Sequence, residues 1–259
     1  MMAEEGLRID RRRQQILEKL TRDGRVRVSE LSNTMAVSEV TIRHDLKVLE
    51  NNGLLERVPG GAVAQVVSLS NGYYRQRKTS NINEKKRIAA RAAGLIQDGE
   101  TLLINSGTTS LLTAQELKRH QRLSILTNSL AIAMELGDYP SFRVILLGGE
   151  INTHYAFTHS SDALVQLSKY KADKAILSVD GVDSRHGIST YHAEEAEING
   201  AMIQRSHQTI IVADSSKLGR ESFNNFSRLN SVDFLVTNHD ADEDQLRAIR
   251  ACGVDVVTA

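Results

Sequence analysis

The chain has 259 residues, 41% in the hydrophobic class and 25% charged, which suits a soluble globular protein of one large or two ordinary domains and excludes disordered and collagen-like chains. Its 32 basic residues cancel its 32 acidic ones, so any nucleic-acid signal must be local; the absence of Trp and an aromatic content of 4% disfavour a base-stacking platform for single strands. No stretch approaches the ~18 apolar residues of a membrane helix, the opening Met-Met-Ala-Glu-Glu leads into no apolar signal region, and a lone Cys252 makes neither a disulfide nor a thiolate cluster, so a cytoplasmic protein with no membrane partner and no cofactor is expected.

Up to Ala62 the chain carries 11 Lys/Arg and 10 Asp/Glu, with Arg8, Arg11, Arg12 and Arg13 reading as a basic N-terminal arm. Three short helices follow, with apolar stripes at Ile16, Leu17 and Leu20, at Leu31 and Met35, and at Ile42, Leu46 and Leu49. Gly24 is expected to end the first helix, Ser29 to cap the second, Ser38 to cap the third and Gly53 to stop it. Only Ala36 and Val37 separate Met35 from Ser38, so the second and third helices must meet at a sharp angle, as in a helix-turn-helix. Residues 54–58 then read as a strand, Pro59-Gly60-Gly61 as a turn and 62–64 as a returning strand, which together make a winged helix-turn-helix over 1–64.

Between 65 and 83 periodicity fades into a Ser, Asn, Gly and Tyr-rich linker, and helical pattern resumes at Glu84. The stretch 73–91 sets Arg75, Arg77, Lys78, Lys85, Lys86, Arg87 and Arg91 against the lone acid Glu84, either as a solvated face or as a DNA or subunit contact. From 84 to 259 apolar strand-like runs at 101–104, 124–126, 142–147, 175–179, 209–213, 234–236 and 254–257 alternate with helices. That order demands crossover connections, hence an α/β domain built on a largely parallel sheet.

In the third helix the core stripe leaves Thr41, Arg43, His44 and Lys47 on the other side. Ser38 and Thr41 can bond phosphates or bases, Arg43 and His44 can reach base edges, and Lys47 can offset phosphate charge. Asp45 would repel phosphate, so it is expected to pair with a neighbouring Arg or to cap local structure, with acceptance from a base amine as the alternative. The competing reading of the three helices is an interaction module whose third helix is merely polar.

The first sheet strand runs into Asn105-Ser106-Gly107-Thr108-Thr109 before a helix, the elements of a phosphate cradle: glycine lets N–H groups approach an anion, hydroxyls donate, and the helix end adds partial positive charge. A plain helix cap uses the same residues. Similar loops follow other strands at Asn128-Ser129, Gly148-Gly149, Asp180 to Asp183 and Asp214 to Lys217, and in an open α/β sheet the strand ends converge on one site. Lys217 would neutralise a phosphate; Asp180 and Asp183 would accept bonds from sugar hydroxyls or else serve as turn and cap residues. His154, His186 and His192 lack metal-ligand spacing, so no metal is expected.

Val28-x-Glu30-Leu31, Val37-Ser38-x-x-Thr41-Ile42-Arg43-x-Asp45-Leu46, Leu49-Glu50 and Gly60-Gly61-Ala62 resemble the signature of the DeoR family of bacterial transcription regulators. Ser106-Gly107-Thr108-Thr109, Thr127-Asn128-Ser129, Gly148-Gly149, Gly187-x-Ser189-Thr190, Glu195-Ala196 and Asp214-Ser215-Ser216-Lys217 resemble the landmarks of its sensor domain. His44 stands where the family commonly has a second basic residue, and Asn105 where it usually has Asp. Gly-x-Ser-Thr, Glu-Ala and Asn199 are most similar to the amino-sugar, N-acetylgalactosamine-type regulators.

The resemblance implies a repressor of a carbohydrate-utilisation operon that binds double-stranded operator DNA as a homodimer or homotetramer. It also implies a C-terminal fold like ribose-phosphate isomerases and CoA-transferases, with a phosphorylated sugar or amino sugar as effector. Ser189, Thr190 and Glu195 join the effector-binding set on that ground. The alternative is an isomerase-like enzyme carrying a DNA-binding domain, with Glu195 as base. Against it, the isomerases' Lys-Gly-Gly-Gly reads His186-Gly187-Ile188-Ser189 here, which removes the group that would stabilise an enediolate.

Overall fold

A computed structural model describes residues 2–51, 54–63, 77, 79–153 and 155–259, and the chain divides into two compact units, Met1–Lys78 and Thr79–Ala259. The expected stop at Gly53, the return strand's last residue Ala64, His154, Arg75, Lys78 and most of the linker lie outside the described residues.

The first unit begins with helix α1 (Met2–Asp23), which continues without a break through Arg11, Arg12 and Arg13, so the expected basic arm is part of a helix. Gly24 ends it at φ +71°, its N–H bonding the Leu20 carbonyl. A three-residue strand that the sequence reading missed, β1 (Arg25–Arg27), leads straight into α2 (Val28–Met35). Because α2 starts at Val28 with Arg27 in the cap position and no side-chain cap, Ser29 does not have its expected role. Ala36, left-handed at φ 52°, turns the chain into α3 (Glu39–Asn51). Ser38 does cap α3: its Oγ accepts the Thr41 N–H at 3.2 Å. Strands β2 (Glu56–Val58) and β3 (Gly61–Val63) complete the wing, which has three antiparallel strands in the order β1-β3-β2 rather than a simple hairpin. Gly61 is dictated by that third strand, since a Cβ there would lie 2.0 Å from the Val26 carbonyl oxygen. Ile16, Leu20, Val26, Val28, Leu31, Ile42, Leu46, Leu49, Leu55 and Ala62 form one core, so the alternating exposed-buried-exposed pattern of β1 closes the helices from below.

In the second unit α4 (Ile82–Ala93) begins two residues before Glu84. Its basic run is not one solvated face: Lys85 is buried and Arg87 lies 3.7 Å from Glu84. The seven expected strands are all present as β4 (Thr101–Ile104), β5 (Ser124–Thr127), β6 (Arg143–Leu146), β9 (Ala172–Ser178), β12 (Ser206–Val212), β14 (Phe234–Thr237) and β15 (Asp255–Thr258). They form a single parallel sheet in the order β15-β14-β12-β9-β4-β5-β6. Helices α5 (Thr108–Glu116), α6 (Leu130–Leu136), α7 (Ser161–Ser168), α8 (Ala193–Gln204) and α9 (Glu243–Arg250) fill crossovers between them. From β4 the chain lays strands outward to β6, then returns to place β9 on the other flank of β4 and builds outward again. The switch point of this doubly wound order, where ligands settle in such sheets, lies between the carboxyl ends of β4 and β9. Short antiparallel pieces rise above that edge: β7 (Glu150–Asn152) pairs with β8 (Phe157–His159), and β10 (Gly181–Asp183), β11 (Gly187–Thr190) and β13 (Asn224–Ser227) form a small sheet.

Candidate functional site

On α3 the residues three, four and seven positions after Val40 are Arg43, His44 and Lys47, and all four are exposed on the face opposite Ile42, Leu46 and Leu49. Ser38 and Thr41 sit at the helix start, their hydroxyls 2.9 Å apart. Arg43 Nη2 bonds Glu39 Oε2 at 2.5 Å, an exposed pair one turn apart that is worth only about 0.3–0.5 kcal/mol and is readily exchanged for another acceptor. Asp45 is turned inward, 1% exposed, and takes Arg12 Nε at 2.5 Å and Arg13 Nε at 3.0 Å. The expected pairing with a neighbouring Arg is therefore found, and it consumes two of the arginines that a free arm would have offered to DNA. Three further exposed residues of this unit escaped the sequence reading. Val40 is 73% exposed, and Arg25 and Arg27 stand outward on β1. For Arg25 and Arg27 the alternating Arg-Val-Arg is the signal available, and three residues are too few to separate from a loop.

In the second unit the loop after β4 holds the densest polar network. Asn105 is fully buried, and its carboxamide donates to the Ser178 carbonyl (2.8 Å) and to Asn199 Oδ1 (3.1 Å) and accepts from Ser110 Oγ (2.8 Å) and the Ser178 N–H (2.9 Å). Its whole bonding capacity is thereby used inside the protein, two bonds tying the end of β4 to the end of β9 and one each reaching α5 and α8. Gly107, at φ +141°, lets the loop pass over Ser178, whose Oγ a Cβ would meet at 1.9 Å. Ser106, Thr108 and Thr109 follow the same turn into the first residues of α5 and are largely buried.

Across the switch point, Asp180 follows β9 and its Oδ2 accepts from the Tyr191 N–H at 3.2 Å, while Lys217 Nζ lies 3.7 Å from its Oδ1. The Thr190 hydroxyl sits between two carboxylates, donating to Glu195 Oε2 at 2.6 Å with Asp180 Oδ2 at 3.2 Å. Asp180, Thr190, Glu195 and Lys217 are thereby linked by direct contacts. Asp214 is the inner partner of Lys217's turn: it accepts from Ser216 N–H at 3.1 Å and from Asn81 Nδ2 at 3.1 Å. Asn238, after β14, bonds Ser215 through its Oδ1 at 2.7 Å and its Nδ2 at 2.9 Å, another support that the sequence did not single out.

Asp183 departs from the expected strand-end cluster. It ends β10, and its Oδ1 accepts the N–H groups of Arg185 (2.8 Å) and His186 (2.9 Å) in the β10–β11 turn. Burial works to raise its pKa, but these two N–H groups and the His186 ring more than offset that, and the carboxyl is held below its ordinary value. This is the turn role that the sequence offered as the alternative to a sugar contact. Ser189 is buried as well, its Oγ accepting the Ser222 N–H at 2.7 Å. On the other flank Ser129 caps α6 by accepting Ile132 N–H at 3.3 Å, Asn128 donates to the Thr158 carbonyl at 3.1 Å, and the Gly148 N–H donates to Gln166 Oε1 at 3.0 Å just before Gly149 enters β7. Asn128 Oδ1 and Asn199 Nδ2 are buried with no hydrogen-bond partner among the described residues. Tyr155 and Tyr191 rings stand 4.6 Å and 5.2 Å from the His192 ring, edge-on, beside the start of α8.

Comparison with known proteins accounts for both units. The family described as DeoR-like helix-turn-helix domain matches residues 12–66, and the DeoR C terminal sensor domain matches residues 80–239. The HTH-type transcriptional repressor GlcR of Bacillus subtilis is 34% identical over 86% of this chain and 86% of its own length. The glycerol-3-phosphate regulon repressor of Escherichia coli K12 is 34% identical over 86% of this chain and 88% of its own. A protein of Escherichia coli O157:H7 described as an aga operon transcriptional repressor is 30% identical over 95% and 92%. Among solved structures, ribose 5-phosphate isomerase A from Methanocaldococcus jannaschii aligns with a TM-score of 0.40 at 18% identity over 53% of this chain and 55% of that chain. With both of its units matched in order along nearly the whole length, the chain belongs to the DeoR family of transcriptional regulators.

Proposed function

We propose that the protein is a repressor of a carbohydrate-utilisation operon that binds operator DNA through α3 and is released from it, or loaded onto it, by a phosphorylated sugar held at the β4–β9 switch point. The observation that carries this reading is the presence, in one chain, of an outward stripe of Arg43, His44 and Lys47 and of a doubly wound sheet whose β4 and β9 run at the switch point into the Ser106–Thr109 turn and the Asp180–Lys217 pair. At that switch point the N-terminal turn of α5 and Lys217 would receive the phosphate, while Asp180, Thr190 and Glu195 would bond sugar hydroxyls. Asn105, Ser189, Ser129 and Asp183 support the surrounding turns in this proposal; they do not face the ligand. The aga, glycerol-3-phosphate and GlcR repressors support a phosphorylated sugar, amino sugar or polyol as the effector class.

Linkage sets how binding becomes regulation: the effector shifts DNA affinity by as much as it prefers one of two conformations or assemblies. A single winged unit contacts few bases, so a homodimer or homotetramer pairing two half-sites in the cytoplasm fits operator binding best. Fluorescence anisotropy of labelled DNA from upstream of the protein's own gene, challenged with a panel of sugar and amino-sugar phosphates, tests this directly. Selective binding altered by one phosphate is expected; binding no tighter than to scrambled DNA at low and at physiological salt would defeat the proposal.

A binding role without turnover is favoured over isomerisation by where His186 sits. Its ring, at the isomerase lysine's position of the chain, is exposed, bonds Asp183 at 3.0 Å and is engaged in the β10–β11 turn. Isomerase activity on aldose and ketose phosphates that is abolished by Glu195→Gln would reverse this preference.

A further inference from the structure

The recognition stripe of α3 begins with a side chain that neither the helix nor the core accounts for. Val40 is 73% exposed as the second residue of α3, and it is absent from the core that Leu17, Met35, Val37 and Leu54 join at its margin. A β-branched residue at an exposed helical position gives up helix propensity and gains no burial in return. Its neighbours on the same stripe are Arg43, His44 and Lys47, so the surface is basic around one apolar centre. Basic side chains bring such a surface against a phosphate-walled groove, and the apolar group that base edges present in the major groove is the 5-methyl of thymine. Recognition helices deliver their N-terminal residues to the bases, which is where Val40 stands.

We propose that Val40 reads a thymine: its two methyl groups pack on the thymine 5-methyl, one helical turn from the base edges addressed by Arg43 and His44. Val40 thus fixes one position of the operator by apolar contact, and cytosine, which has hydrogen in place of the methyl, is discriminated against there. The inference rests on the proposed DNA-binding role of α3. A second protein is the competing occupant of an exposed valine, and the following test separates the two.

The full-length protein is used to select its preferred duplex from a randomised library, and each thymine of that duplex is replaced singly by uracil, which deletes the methyl and keeps every hydrogen-bonding group. Anisotropy titrations should show one thymine in each half-site whose replacement weakens wild-type binding about three- to tenfold, as expected for loss of a buried methyl contact. In Val40→Ala, which raises helix propensity and should melt no lower than wild type, the thymine duplex should bind with the weakened affinity and the uracil replacement should change it by less than twofold. Lys47→Ala should weaken both duplexes and keep the full uracil penalty, because its contact is to phosphate. A wild-type protein indifferent to every uracil, or a penalty that persists undiminished in Val40→Ala, overturns the inference while leaving the DNA-binding role intact. Failure of any preferred duplex to emerge overturns the DNA-binding role itself.

Discussion

Replacing Asp45 by Ala should cost the helix-turn-helix unit about 3 kcal/mol, and the structure supplies the working. The carboxylate is 1% exposed and takes one guanidinium N–H on each oxygen, from Arg12 at 2.5 Å and Arg13 at 3.0 Å. Hydrogen bonds to charged groups contribute roughly 1.5–3 kcal/mol each, and leaving a buried charge without its partner typically costs about 3–5 kcal/mol. Arg12 and Arg13 remain 16% and 19% exposed, so water recovers part of that loss and the lower end applies. Hydrogen exchange read on peptides of α3 is the suitable assay, because it reports this unit without requiring the whole chain to unfold in one step. A loss of ~3 kcal/mol corresponds to about a hundredfold fall in protection. Asp45→Leu should be far milder than Asp45→Ala if packing replaces the pair, and the Arg12→Ala/Asp45→Ala double variant should lose less than the sum of its singles. If protection falls less than fivefold in Asp45→Ala while operator preference changes, Asp45 reads a base and the structural assignment is wrong.

Four further outcomes are expected. Arg43→Ala should lose about 1–3 kcal/mol of binding to operator and little to random DNA, whereas Lys47→Ala should weaken both and flatten the salt dependence; equal losses for Arg43→Ala would remove its base contact. Lys217→Ala should keep DNA affinity and abolish the effector response in the anisotropy assay, and an unchanged response would move the phosphate elsewhere. Gly61→Ala should destabilise the wing by about 2–3 kcal/mol, seen as lost exchange protection in β1 and β3, because its Cβ would press on the Val26 carbonyl at 2.0 Å; a neutral result would mean that β1 does not lie against β3. Asp173 is held below the ordinary carboxylate value, first by the Thr101 hydroxyl at 2.6 Å and then by its N–H at 2.8 Å. A lowered folded-state pKa means its contribution is complete above the unfolded value of about 3.9 and is lost as pH falls through the folded one. The stability gap between wild type and Asp173→Asn in urea should therefore be widest at pH 6 and shrink as pH falls below the ordinary carboxylate value of about 3.9; a gap that grows on acidification would reverse the sign.

What the sequence disclosed depended on how each element earns its stability. The five inner strands of the parallel sheet are largely buried, so they announce themselves as apolar runs such as Leu102-Leu103-Ile104 and Thr209-Ile210-Ile211-Val212. Helices α2 and α3 were legible from their three-and-four spacing and from Ser38. Strand β1 was not, because Arg25–Arg27 carries one buried residue, Val26, whose partner Ala62 lies far along the chain. The small sheet of β10, β11 and β13 was hidden for another reason: Gly187-Ile188-Ser189-Thr190 is buried yet largely polar, and hydrogen bonds such as Ser222 N–H to Ser189 Oγ hold it instead of apolar packing. Its turn captured Asp183, which chain order alone had grouped with Asp180. At the β4–β9 edge residue types were readable, but their partners were not, since Asn105 meets Ser178 and Asn199 across 73 and 94 residues of chain.

The Asn105 knot has a mechanical consequence. Parting β4 from β9 would break the two Asn105 bonds to Ser178 along with the strand ladder, each worth about 1 kcal/mol, and the same carboxamide holds Ser110 of α5 and Asn199 of α8, so these strand ends form a stiff plate. Motion at this edge of the sheet is left to what stands on the plate. The β7–β8 and β10–β11 hairpins are short, antiparallel and joined to it at their ends. The β7–β8 pair has three residues in each strand, so local opening at this edge should begin there before β4 and β9 part, much as a keyboard moves at its keys while its frame stays still.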